Sequence, residues 1–330
     1  MKKAKKEASL PIVDRVRKSQ ENLVLADYAY QVINEQVKHL FKQKKPVLKD
    51  TRPEPLHQMR VASRRLRTAL QVFGGAVKLP KSASAKKLRD LARVLGKVRD
   101  LDVQIASLKD YYCPQLDDSE QKQLQKVIAG LKQQRVNAFA KMESVLTSDR
   151  YADLKQSYED WLEKPQYQAI AVLPIRTLLP DLLTPLLSEL LLHPGWLVST
   201  QQASGKQGVI VHDLRKVCKH VRYQSEFFTE FYGKDFPQWI KQIKGLQDNL
   251  GDFQDTQVLL QLLSEQAKKS DSMPQLQMAI QQKQTEAMSG WDQIRQDYLQ
   301  SDFRYRLHQM LLQPTLLMSQ DAIEDALALN

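Results

Sequence analysis

Two stretches of this 330-residue chain set histidine, arginine and lysine at helical spacing. The first is His57, Arg60, Arg64 and Arg67; the second is His212, Arg215, Lys219 and Arg222. At about 100° per residue, the members of each set fall within about 80° of one another and form one row along a helix. Each row runs beside the apolar positions. Leu56, Met59, Ala62, Leu66, Ala69, Leu70 and Phe73 flank the first, and Leu214, Val217, Cys218, Val221 and Phe228 flank the second. A charged face kept for solubility lies opposite the core and mixes signs. A row of one sign at the edge of the core repels itself and persists where something anionic neutralises it. Arginine's planar fork suits bidentate phosphate contacts, and lysine acts as a point charge. The chemistry indicated is capture of a phosphate-rich polyanion, with a solvated or internally salt-bridged face as the alternative.

The two rows belong to a longer repeat. Residues 57–103 and 212–258 align without a gap, and His57, Arg60, Arg67 and Phe73 fall on His212, Arg215, Arg222 and Phe228. Leu95-Gly96 and Asp100 fall on Leu250-Gly251 and Asp255. Arg65, Lys216 and Tyr223 lie within the basic segments and join the candidate ligands. The next element buries Leu88, Leu91, Leu95 and Val98 and carries Arg89, Arg93 and Lys97 on its other side; the later copy has Lys244, Asp248 and Asp252 there. Asp100 and Asp255 are expected to orient arginines of the rows, and Gly96 and Gly251 to allow close helix approach. A repeat that keeps these residues in register presents cations twice to one ligand.

Several other chemistries are disfavoured. His57 and His212 have no Cys, Asp, Glu or His three or four residues on, and the third neighbour of each is an arginine that repels a metal ion. Placed near helix starts, they read as anion contacts or as packed helix-start histidines. No P-loop, glycine-rich phosphate loop, magnesium-binding carboxylate cluster or nucleophile–base pair occurs, so the chain reads as a binding protein without cofactor or catalytic residues. A nucleic-acid binder remains the alternative from the same charge, although single-strand readers interleave aromatics for stacking and the rows have none before Tyr223. A phosphohydrolase stands third.

Composition fits a polyanion partner. Lys and Arg total 49 against 38 acids, a net charge of +11. Two cysteines, Cys113 and Cys218, make no disulfide framework and point to a reducing cytoplasm. The start, Met1 to Lys6, is basic but no apolar core follows, so it reads as something other than a signal peptide. The most apolar run, Ala169–Leu192, carries Arg176, Asp181, Glu189 and three prolines, and is expected to be a buried helical segment rather than a membrane span. Eleven glycines, abundant Leu, Gln, Lys and Ala, and no sustained alternation indicate an all-α protein. Expected helices cover about 13–43, 55–76, 83–110, 119–146, 149–163, 209–232, 236–265, 273–300 and 302–318. Loops are expected at 45–55 and 199–208, and Ser148-Asp149 should cap a helix. The economical architecture is two four-helix-type bundles related by an internal pseudo-two-fold, with halves at about 13–163 and 170–318 between a basic tail at 1–12 and an acidic tail at 319–330.

The run Leu56-His57-x-x-Arg60-Val61-x-x-Arg64-Arg65-Leu66-Arg67, followed by Leu95-Gly96-x-Val98-Arg99-Asp100-x-Asp102-Val103, resembles the first half of a CHAD domain, the conserved histidine α-helical domain. Val211-His212-x-Leu214-Arg215-Lys216-x-x-Lys219-x-x-Arg222-Tyr223-x-x-Glu226-Phe227, with Leu250-Gly251 and Asp255, resembles its second half. The likeness covers about residues 15–310. It implies two helical bundles around a basic central channel that binds inorganic polyphosphate, often at polyphosphate granules. The channel cations would be the two rows. His220 stands where the family often has Arg or Lys, which bears on the symmetry of the surface. The strand motif Glu-x-Glu-x-Lys of the triphosphate-tunnel domain found in many relatives is absent, so the chain reads as a stand-alone member.

Overall fold

The computed structural model describes residues 23–267 and 273–314; the expected tails and residues 13–22 of the first helix lie outside them. Among the described residues there is no strand. Two isolated bridges, Val24 with Pro174 and Val77 with Tyr167, tie connecting segments together. Twelve α-helices are described: α1 (Leu25–Lys42), α2 (Lys44–Lys49), α3 (Glu54–Val72), α4 (Ala85–Ala106), α5 (Asp118–Thr147), α6 (Asp149–Glu163), α7 (Ile175–Leu191), α8 (Gly205–Ser225), α9 (Asp235–Ala267), α10 (Pro274–Ala287), α11 (Trp291–Leu299) and α12 (Ser301–Leu312).

The helix spacing follows the apolar period. α1 buries Leu25, Ala29, Val32, Ile33, Val37 and Leu40, α3 buries Leu56, Met59, Ala62, Leu66 and Ala69, and α4 buries Leu88, Leu91, Leu95 and Val98. Asp117 caps α5 by accepting from the amides of Ser119 and Glu120, and Ser148 caps α6 by accepting from the Tyr151 amide, as its sequence position indicates.

Three local expectations need correcting, one of them the single helix expected over 273–300, which a turn at 288–290 divides into α10 and α11. The proline-containing stretch 45–55 is not all loop: Pro46 lies inside the short α2, where the early turn of a helix tolerates its missing amide. The apolar run 169–192 is the buried helical segment expected of it: α7 starts after Pro174 and carries Pro180 and Pro185 internally. Burial of Leu178, Leu179, Leu183, Leu187 and Leu190 offsets the lost backbone hydrogen bonds. The segment 199–208 is helical from Gly205, whose φ of +58° suits glycine. His212 therefore lies two turns inside α8, away from the N-terminal amides that its expected position would have offered.

One principal core draws on both halves, from Leu25 to Leu311. At its centre the repeat-equivalent Phe73 and Phe228 meet edge to face at 6.1 Å, and Tyr28 contacts both at 6.1 Å. The Tyr28 hydroxyl donates to the Phe227 carbonyl and, at 2.9 Å, to Glu230. A second cluster joins the halves elsewhere. Leu124, Ile128 and Leu131 of α5 pack with Leu259 and Leu263 of α9 and Leu276 and Ile280 of α10. There the buried Glu120 accepts from the amides of Gln275 and Leu276 at 2.8 and 2.9 Å, capping α10 from the opposite half.

Candidate functional site

The two copies of the repeat fall on two packed helix pairs, α3–α4 and α8–α9, and α3 also packs against α8. A cleft of about 540 Å³ opens between them. From α3 and α4 it is lined by Arg60, Arg64, Arg67, Arg89 and Arg93, and from α8 by Lys216, Lys219, His220 and Tyr223. Thr68, Gln71, Ala92 and Val217 complete the wall with Glu189 of α7, the cleft's one lining carboxylate. The rows lie at the edge of the core because Leu56, Met59 and Leu66 of α3, and Val211, Leu214 and Cys218 of α8, carry those helices' buried faces.

The cations differ in how far they are already neutralised. Arg60 pairs with Asp100 at 3.3 Å, Arg93 with Asp90 at 3.2 Å and Lys216 with Asp213 at 2.8 Å. Among the described residues Arg67, Arg89 and Lys219 have no ion pair or hydrogen bond. The Arg64 Nε is buried without a partner, and its guanidinium lies 4.2 Å from the centre of the Tyr223 ring. Burial first, and then Arg64, Arg215, Arg60 and Arg222, push the Lys219 ammonium down to about 8. Burial likewise lowers Arg64 and Arg67, with Arg60 and Arg222 adding to it at Arg64 and Arg89 at Arg67. Arg64, Arg67 and Lys219 thus form a group of partly desolvated like charges within the cleft, and none of the three has an ion pair among the described residues.

Seven candidate ligands do not reach the cleft wall. His57 and His212 are half-buried, and both are held below the ordinary histidine value by burial first, with Arg99 next at His57 and Lys216 at His212. Arg65 pairs with Glu226 at 3.3 Å. Arg222 is buried, donating to Gln247 at 3.0 Å and pairing with Glu226 at 3.1 Å, with its guanidinium 4.2 Å from the Tyr223 ring centre. Arg215 lies beside Gly251 and partly neutralises Asp255, whose carboxyl is raised by burial first. Lys97 of α4 and Lys244 of α9 are exposed.

The repeated glycines serve a purpose other than close helix packing. A Cβ on Gly96 would lie 2.7 Å from the Arg60 Nη1, and one on Gly251 would lie 3.1 Å from the Arg215 Nη2. In each half the missing side chain admits a guanidinium from the row helix across the second helix. In the first half that guanidinium reaches Asp100, the partner expected for it. Of the wall residues outside the candidate set, Gln71 continues the α3 row at the fourth position after Arg67, so its register was readable. Glu189 had no such signal, because α7 lies outside the repeat.

The described residues form an all-α protein with a basic cleft, and the sequence profile of the CHAD domain matches residues 31–264. The chain belongs to the CHAD family. Among solved structures it resembles the crystal structure of the CHAD domain from the plant Ricinus communis. Identity is 22% and the TM-score 0.59, over 90% of this chain and 94% of that one. It also resembles PptA from Streptomyces chartreusis, at 13% identity and a TM-score of 0.57, over 87% of this chain and 99% of that one. No curated protein matches the chain. At these identities the two structures establish the fold. Among the described residues no helix is long and apolar enough to cross a membrane.

Proposed function

We propose that the chain binds inorganic polyphosphate in the cleft between α3–α4 and α8, without turning it over, and that this binding takes it to polyphosphate granules. One observation carries the reading: seven Lys or Arg side chains line about 540 Å³ against the single carboxylate Glu189. A linear chain of phosphates matches such a wall because every unit brings charge and acceptor oxygens to forked and point-charge donors alike. Membership of the CHAD family, which is associated with polyphosphate, supports the same ligand. In this reading α3 and α4 of the first half and α8 of the second supply the two sides of one basic channel.

Nucleic acid fits the cleft less well. Apart from the His220 imidazole, Tyr223 is its one aromatic ring, and two guanidinium groups at 4.2 Å already occupy it. No free ring face is left on which a base would stack, and stacking supplies about 1–3 kcal/mol per base in single-strand readers. Turnover is not favoured either, since Thr68, the aliphatic hydroxyl in the wall, donates to the Arg64 carbonyl at 3.1 Å and no base activates it.

Titration of linear polyphosphate into the purified protein tests this. Arg64→Ala with Arg67→Ala should weaken binding more than tenfold, because each lost charge-assisted contact is worth on the order of 1–3 kcal/mol. Arg215→Ala with Arg222→Ala should weaken it less, because those two side chains are engaged away from the wall. Equal affinity of the Arg64/Arg67 variant and its parent would remove the cleft as the site. Steady protein-dependent release of orthophosphate would make the chain an enzyme instead.

A further inference from the structure

The two halves present their cations unequally, and one position in the repeat accounts for it. Arg67 of α3 and Arg222 of α8 are repeat equivalents, yet Arg67 lines the cleft and Arg222 is buried beside it. The residue four positions on is Gln71 after Arg67 and Glu226 after Arg222, and these two are repeat equivalents as well. Gln71 lines the cleft and leaves Arg67 without an ion pair among the described residues. Glu226 takes Arg222 at 3.1 Å through one carboxylate oxygen and Arg65 of the opposite half at 3.3 Å through the other.

We infer that Glu226 is an internal counter-anion that withholds Arg65 and Arg222 from the ligand. The residue at the 71/226 position thus sets how many row cations each half offers. This rests on the polyphosphate reading and refines it, because a carboxylate held by two arginines competes with phosphate for the same forks. It also limits repulsion. Arg222 and Arg64 both lie 4.2 Å from the centre of one tyrosine ring, and Glu226 offsets part of the positive charge that gathers there. The site is thereby held below the affinity that its full complement of cations would give.

The test is the salt dependence of binding to linear inorganic polyphosphate for the parent, Glu226→Gln and Gln71→Glu. Glu230→Gln serves as the control, since it removes the same charge from a carboxylate that pairs with neither row. Each recruited phosphate contact steepens the slope of log affinity against log salt by about 0.7 for a single strand. Glu226→Gln is expected to bind about tenfold more tightly at about 50 mM salt, with a slope steeper by roughly 0.7 to 1.4. Gln71→Glu is expected to capture Arg67 and lower both affinity and slope. Glu230→Gln should leave the slope unchanged.

Should Glu226→Gln fail to fold, the expected loss of slope in Gln71→Glu carries the test alone, and an unchanged slope there overturns the inference. A Glu226→Gln variant that matches its parent in affinity and slope overturns it, and so does one that differs only as Glu230→Gln does. A parent that does not bind polyphosphate overturns the functional reading instead.

Discussion

Lys219 offers a perturbation whose sign separates a ligand site from ordinary surface charge. Its ammonium is lowered from 10.5 to about 8 by burial and by four arginines. At about 1.36 kcal/mol per unit, holding that charge in the folded protein costs roughly 3 kcal/mol. Lys219→Met keeps most of the stem's packing and removes the charge. The variant should be more stable than its parent near pH 7 by about 1–3 kcal/mol, the lower end allowing for local relaxation. The pH dependence is the sharper part. The unfolded lysine keeps its proton to about 10.5, whereas the folded one loses it near 8, so between those values the unfolded state holds more protons and the parent gains stability as pH rises. The buried Cys218, raised to about 12, and the buried tyrosines act in the opposite direction, but parent and variant share them. The difference between the two proteins therefore isolates Lys219. Urea unfolding followed by circular dichroism from about pH 7 to about pH 10 should show a gap that narrows toward zero. A variant that is less stable near pH 7, or a gap constant with pH, would mean that Lys219 is neutralised within the fold.

Gly96→Ala should leave stability unchanged or raise it by about 0.5–1 kcal/mol, as a mid-helix alanine does. It should nonetheless weaken polyphosphate binding, because the new methyl displaces the Arg60 guanidinium; melting and titration of one sample check both halves. Arg215→Ala should destabilise by on the order of 1–2 kcal/mol near pH 7, since Asp255 loses the cation that offsets its burial. That loss should shrink on acidification, because a carboxyl raised in the folded state takes up a proton there first. Glu120→Ala should cost about 1–2 kcal/mol in chemical unfolding with little effect on binding, because it uncaps α10 far from the cleft.

The helices and rows were legible because a 3.6-residue period places apolar and cationic residues at set angles whatever surrounds them. Ser148 as a cap and Asp100 as the partner of Arg60 follow from local chemistry and from register. What a wheel cannot give is where the far end of a long side chain goes. Arg67 and Arg222 share an angle, yet a carboxylate on the next turn draws one of them out of the cleft. Glu189, the Glu120 cap on α10 and the path of α7 through two prolines depend on partners distant in sequence. The early start of α8 was hidden by Ser204 and Gly205, which are as common in loops as at helix starts.

A cleft that recognises phosphate chains by contact selects them over other polyanions. Competition at about 150 mM salt between long-chain polyphosphate and single- or double-stranded DNA tests it most directly, because screening at that strength removes long-range attraction and leaves contact chemistry. Polyphosphate should displace either DNA at matched phosphate concentration, and Arg64→Ala with Arg67→Ala should abolish the preference. DNA that holds its place against polyphosphate, or a preference untouched by those substitutions, would mean that the cleft does not select phosphate chains.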